Sequence, residues 1–117
     1  MKLDDLRTYQ IAMEISEQIW EIVAKWNYFE KDTIGKQLVR AADSIAANIS
    51  EGYGRFHYKE NKHFCYYSRG SLYETKTWLT KAHNRNLISN KDFASFEEEI
   101  NTIAIKLNKY IKSIGKN

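Results

Sequence analysis

Apolar residues recur along the chain in steps of three and four, the spacing that stacks side chains on one face of an α-helix. From about Asp5 to Trp26 two such series run together: Leu6, Tyr9, Met13, Ser16, Trp20 and Val23, beside Ala12, Ile15, Ile19, Ile22 and Trp26. Successive residues turn by about 100°, so the two series merge into one broad apolar arc. Asp4 and Asp5 suit the positive end of this helix. An arc so wide exceeds what one packing seam needs. Either the helix lies deep in its own bundle, or part of the arc meets a second subunit, with Trp20 and Trp26 as the candidates.

Residues Asn27 to Thr33 read as a polar connector, with Asp32, Thr33 or Gly35 available to cap a second helix over 34–51. On that helix Leu38, Ala41, Ala42, Ile45, Ala46 and Ile49 share one side. Gly52 is expected to supply the left-handed residue that commonly ends a helix, with Gly54 relaxing the chain beyond it. A third helix, over 58–84, repeats the same steps through Phe64, Ser68, Ser71, Thr75, Trp78 and Ala82, with Gly70 beside them. Small side chains on both runs predict a close approach of the two axes, toward the short end of the usual range of about 8–10 Å. His57 is a poor N-cap, so the start of helix three is expected to fray. Ser89 and Asp92 form a start signal for a fourth helix, over 90–114. There Phe93, Phe96, Ile100, Ile103, Leu107, Tyr110 and Ile114 keep a strict heptad seam that Gly115 stops.

Four helices with short connections predict an all-α fold: a left-handed, antiparallel up-down-up-down four-helix bundle forming one domain over residues 1–117. Composition agrees. The 117 residues contain no proline, and eight Tyr, five Phe and three Trp argue against disorder and against turn-rich β architectures. The formal charge is only +3, but it is unevenly spread. Residues 1–30 hold three basic and six acidic groups, residues 31–85 ten and five, and residues 86–117 five and four. Cys65 is the one cysteine, which excludes an internal disulfide or a thiolate metal cluster and fits a reducing cytosol. The N-terminal stretch is acidic where a signal peptide is basic and then apolar, and no run reaches membrane-spanning length. A soluble, cytoplasmic protein with no membrane partner is expected.

Two segments carry a more specific pattern: Gln37–Arg55, reading QLVRAADSIAANISEGYGR, and Ser68–Glu74, reading SRGSLYE. Together they resemble the 23S rRNA-intervening-sequence proteins, a family of four-helix bundles that includes the accessory variability determinant of diversity-generating retroelements. The resemblance implies an antiparallel four-helix bundle, assembly as a barrel-like homopentamer, a setting of RNA or nucleoprotein, and no enzymatic activity. This chain departs from the family pattern at Tyr28-Phe29-Glu30, where a Phe-Pro turn is common, and at His57, which stands where a capping Ser is usual.

Candidate sites follow from these patterns. The corner from Gly52 to Lys62 alternates aromatic and basic residues, a composition that stacks bases and contacts phosphates; Arg55, His57, Lys59 and Lys62 are its candidate RNA contacts. The same composition also fits a bundle end closed by Tyr53, Phe56 and Tyr58 with solvated charges. Arg40, Asn48, Glu51, Arg55, Arg69 and Glu74 are candidates for an interhelical polar network, since planar guanidinium groups pair bidentately with carboxylates. A surface site for an acidic or RNA partner is the other reading of these six. His57, His63 and His83 lack the spacing of a metal site, and the consecutive Glu97, Glu98 and Glu99 point in different directions. No phosphate-binding loop or nucleophile turn is present. No catalytic residue, cofactor, metal or small-molecule substrate is therefore expected. The partners expected are further copies of the chain and RNA or a nucleoprotein; a protein-interaction module without nucleic-acid contact is the alternative.

Overall fold

With no proline to break the hydrogen-bond ladder, the apolar periods above become long helices. In the computed structural model, which describes residues 2–116, these are α1 (Arg7–Ala24), α2 (Lys36–Tyr53), α3 (Tyr58–Asn84) and α4 (Asn90–Ser113). A 3-10 turn at Leu3–Asp5 precedes α1. Each helix packs against the next, and α4 returns to α1, so the four close a ring in a rod of 48 × 24 × 20 Å. All four helices feed one core. Ile15 and Ile19 of α1, Leu38, Ile45 and Ile49 of α2, Leu72 and Leu79 of α3, and Ile103 and Leu107 of α4 are fully buried. Each such side chain contributes about 1.5–3 kcal/mol by leaving water.

The α2–α3 contact is the most extensive, and small residues make it so. Ala41, Ala42 and Ala46 of α2 and Cys65, Ser68 and Thr75 of α3 are buried. The Ser68 hydroxyl donates to the Ile45 carbonyl across the seam at 2.7 Å, while Thr75 bonds back to Ser71 O of its own helix at 2.8 Å. Gly52 belongs to this seam and not to a turn. It does not adopt the left-handed backbone expected of it; α2 runs on through Tyr53, and Gly54 ends it with φ −77° and ψ −3°. A Cβ on Gly52 would stand 2.7 Å from Asn61 Oδ1 and 2.8 Å from Asn61 O, so the missing side chain is what lets the backbone of α3 approach. Gly70, grouped with the seam by its position in sequence, faces solvent with nothing within 4 Å of a Cβ.

The expected connector at 27–33 is largely helical. Asn27 sits at the cap position with extended backbone, a single α turn covers Tyr28–Glu30, and a π turn at Lys31–Gly35 leads into α2. Neither Asp32 nor Thr33 caps anything: Asp32 pairs with Lys36 at 3.1 Å, and the Thr33 hydroxyl donates to Phe29 O at 2.7 Å. The absence of a proline here leaves every amide free to join the ladder, so the polar composition does not interrupt it. Gly35 is helical too, at φ −60° and ψ −46°. It is needed because a Cβ would lie 2.8 Å from Val23 Cγ1.

At the other connection on this end, Asn86 takes the left-handed conformation (φ 62°), and the Leu87 amide donates to Ala82 O at 2.9 Å. The Trp26 indole donates to Leu87 O at 3.1 Å and ties the two connections together. Trp26 is thus half-buried in its own protomer, with its indole donor already engaged. Its amphipathic ring is used internally because the α3–α4 turn offers a free carbonyl within reach. Ser89 caps α4 as expected, accepting from the Asp92 amide at 3.1 Å. Gly115, with φ 80°, lies just past the end of α4.

Candidate functional site

The corner between α2 and α3 brings Arg55, His57, Lys59 and Lys62 together, but not as four free cations. Arg55 Nη2 donates to Glu51 Oε1 at 2.6 Å, one helical turn back. Its Nη1 lies 3.7 Å from Glu60 Oε2, and its guanidinium sits over the Phe64 ring at 4.8 Å. Two carboxylates therefore balance one of the charges on which the phosphate reading relied. His57 holds the cap position of α3 with extended backbone and no side-chain cap bond, its ring edge-on to Phe56 at 4.9 Å. Lys59 and Lys62 have no carboxylate within 4.0 Å among the described residues. Nor do the corner's aromatic rings all close the bundle end: Phe56 is 91% exposed.

The six-residue polar network does not assemble. Asn48 Nδ2 donates to Ser44 O at 2.9 Å, and Glu74 accepts from the Trp78 indole at 3.1 Å, each within its own helix. Glu51 serves Arg55. Arg69 reaches across to α4, where Nη1 donates to Asn108 Oδ1 at 3.1 Å. Arg40 turns into a groove described below. The physical reason lies in the small-residue seam: axes drawn so close leave no volume between them for arginine and glutamate, which turn outward to water. A different polar cluster is half-buried between α3 and α4, where Asn61 Nδ2 donates to the Tyr110 hydroxyl at 3.3 Å and Cys65 Sγ lies 3.6 Å from Asn61 Oδ1. Burial pushes the Cys65 thiol up to about 11 and raises Tyr110 as well, although the Asn61 bond opposes the latter. Asn61 continues the core period of Cys65, Ser68 and Leu72, the signal from which it was legible in sequence.

Part of the broad α1 arc does reach the surface. Trp20 is 59% exposed and lines an open groove of about 420 Å³ between α1 and α2. Val23, Ala24, Gly35 and Val39 complete its apolar lining, while Lys31 and Arg40 stand at its rim beside Lys36, which is paired with Asp32. The close contact of Gly35 with Val23 sets how deep it is. Met13, about two turns before Trp20, is exposed along the same seam, beside Tyr9 and Ala47. The opposite flank of α1 is net acidic: Glu14, which Arg7 meets at 3.7 Å, faces Glu98 and Glu99 of α4, and burial first, then Glu14 and Glu98, raise the Glu99 carboxyl above its ordinary value.

Among the described residues no group of three His, Cys, Asp or Glu side chains is placed to hold a metal ion. His83 instead joins α3 to α4, stacked on Phe93 at 4.3 Å with Nε2 2.6 Å from Asn90 Oδ1. No described helix is long and apolar enough to cross a membrane.

The 23S rRNA-intervening sequence protein family model matches residues 4–109. Among solved structures, the chain is similar to a protein of unknown function from the S23 ribosomal protein family of Bacteroides thetaiotaomicron VPI-5482. The two share 20% identity and a TM-score of 0.80, over 90% of this chain and 98% of that one. At that identity the likeness speaks for the fold alone. No curated protein matches.

Proposed function

Because the chain belongs to the 23S rRNA-intervening sequence protein family, we propose that it is a non-catalytic helical scaffold that assembles with copies of itself, in the cytoplasm and in the setting of RNA or a nucleoprotein. The observation that carries self-assembly is the Trp20 groove. A large aromatic ring more than half exposed, in an apolar trough with a cationic rim, is surface that water disfavours and a partner can cover. The same molecule carries a net-acidic flank at Glu14, Glu98 and Glu99, where Arg7 offsets one of the three charges. Groove and flank are different surfaces, so their contact is heterologous, and a heterologous contact closes into a ring when its rotation divides the circle. The homopentamer implied by the family resemblance is such a ring.

Size-exclusion chromatography with light scattering tests this directly. The wild-type chain is expected well above the 13.8 kDa of one protomer, and Trp20→Glu is expected to return it to that mass with its helical circular dichroism intact. A wild-type monomer at micromolar concentration would overturn the proposal. The neutralised Arg55 favours one alternative, a protein-interaction module that makes no nucleic-acid contact. A pull-down after nuclease treatment separates the two readings, since partners retained without RNA support the alternative.

A further inference from the structure

Where the corner's arginine is spent on carboxylates, the outer side of α3 keeps its charge. We propose that this face, from Lys59 to Lys76, binds a single unpaired strand of nucleic acid, a placement that rests on the RNA setting proposed above and locates its contact surface. Lys59, Lys62, Tyr66, Arg69, Tyr73 and Lys76 follow one another in steps of 3, 4, 3, 4 and 3, so they form one stripe about 25 Å long. The stripe lies clear of the buried set Cys65, Ser68, Leu72, Thr75 and Leu79.

Charge is concentrated on this helix. The 27 residues of α3 hold five basic and two acidic side chains, a net of +3, which is the formal charge of the entire chain. The remaining residues balance. Both acids are engaged away from the stripe, Glu60 with Arg55 and Glu74 with Trp78. Among the described residues none of the stripe's four cations has a carboxylate within 4.0 Å. Arg69 is held by neutral partners instead: its guanidinium lies over the Tyr66 ring at 4.9 Å, and one of its donors meets the Asn108 amide oxygen. Ordered but not neutralised, it keeps donors free for a phosphate.

The aromatic residues say which polyanion. Tyr66 and Tyr73 are 46% and 56% exposed and stand about 10 Å apart along the helix, interleaved with the cations. Rings presented in this way stack on unpaired bases, which a duplex keeps covered. Between them Gly70 leaves a bare patch of helix backbone. A glycine within a helix is unfavourable, and here no packing contact accounts for it, since nothing lies within 4 Å of a Cβ. The bare patch gives a strand room to pass between the two rings.

Fluorescence anisotropy with a labelled oligouridine at low salt tests the proposal, with the same sequence as DNA and a pre-annealed RNA duplex as the other arms. Binding to the single strands in preference to the duplex is expected, and the RNA-to-DNA ratio identifies the natural ligand. Affinity should fall with salt, with a log–log slope near −0.7 for each phosphate contacted. Tyr66→Ala with Tyr73→Ala should weaken binding by at least about tenfold at unchanged slope. Lys62→Ala with Lys76→Ala should instead make the slope shallower. Arg55→Ala should do neither. If the wild type binds no oligonucleotide, the RNA setting fails along with this site. If it binds but both α3 pairs behave as wild type, the RNA setting stands and this placement is wrong. Equal competition by polyglutamate with no loss in the tyrosine variant would mark the face as a general anion surface and overturn the proposal.

Discussion

The α2–α3 seam and the α1–α2 seam join neighbouring helices of one bundle, yet one is closed and the other stands open. In the first, alanine, serine and glycine bring the backbones together and the Ser68–Ile45 bond satisfies the polar groups that burial would strand. In the second, the nearest atom to a Cβ on Gly35 belongs to the Val23 side chain and not to the backbone of α1, and with bulky residues at the rim Trp20 remains more than half exposed. Side-chain volume therefore decides whether a seam is finished. Small edges seal within the protomer; large apolar ones leave surface for something else.

The comparison breaks most sharply at Gly52. Gly52→Ala places a methyl group against Asn61 backbone and side chain at under 3 Å, and is expected to destabilise the fold by about 3 kcal/mol in urea titrations. A cost below about 0.5 kcal/mol would mean that the seam is looser than described. Gly70→Ala, the same substitution where nothing lies within 4 Å, should stabilise by about 1 kcal/mol through helix propensity alone. Opposite signs from two glycines on adjoining helices would show that contact, not residue type, sets the sign. At the open seam Trp20→Glu should leave the unfolding free energy of the protomer within about 0.5 kcal/mol, although it alters assembly. The last effect is confined to alkaline pH. Cys65 ionises near 9.0 in an unfolded chain but is pushed up to about 11 by burial beside the closed seam. Between those values the unfolded chain has released a proton that the folded chain retains, so stability falls as pH rises through that window. Cys65→Ala should flatten this part of the pH profile, and the wild-type thiol should resist alkylation at neutral pH until the chain is unfolded.

Much of the fold was legible in the order of residues. The period of three and four located α3 and α4 to within a residue or so of their ends, because local propensity, the Ser89 cap and the heptad seam agree there. The segment before α2 departs from its sequence pattern: its polar residues suggest a loop, but nothing in them prevents the ladder from continuing through a π turn. Gly52 departs for a related reason. Glycine serves turns and close approaches alike, and the distinction depends on a neighbour that is distant in sequence. Trp20 and Trp26 had equal standing on the apolar arc until the Leu87 carbonyl, 61 residues away along the chain, claimed one of them.

The sites divide in the same way. That the middle of the chain is basic and aromatic was visible in the composition. Two arginines at the same kind of place, each over an aromatic ring, then diverged: Arg55 over Phe64 at 4.8 Å and Arg69 over Tyr66 at 4.9 Å. The first meets Glu51 and Glu60, the second a neutral amide. Helical period and composition, being local, were enough to determine four helices and their apolar faces, and the segments Gln37–Arg55 and Ser68–Glu74 carried the likeness to the family. Which cation stays charged toward solvent, which tryptophan is left outside and which glycine is squeezed are properties of pairs of residues far apart in the chain. Those pairs come within reach only when the helices dock, so only the tertiary structure could decide them.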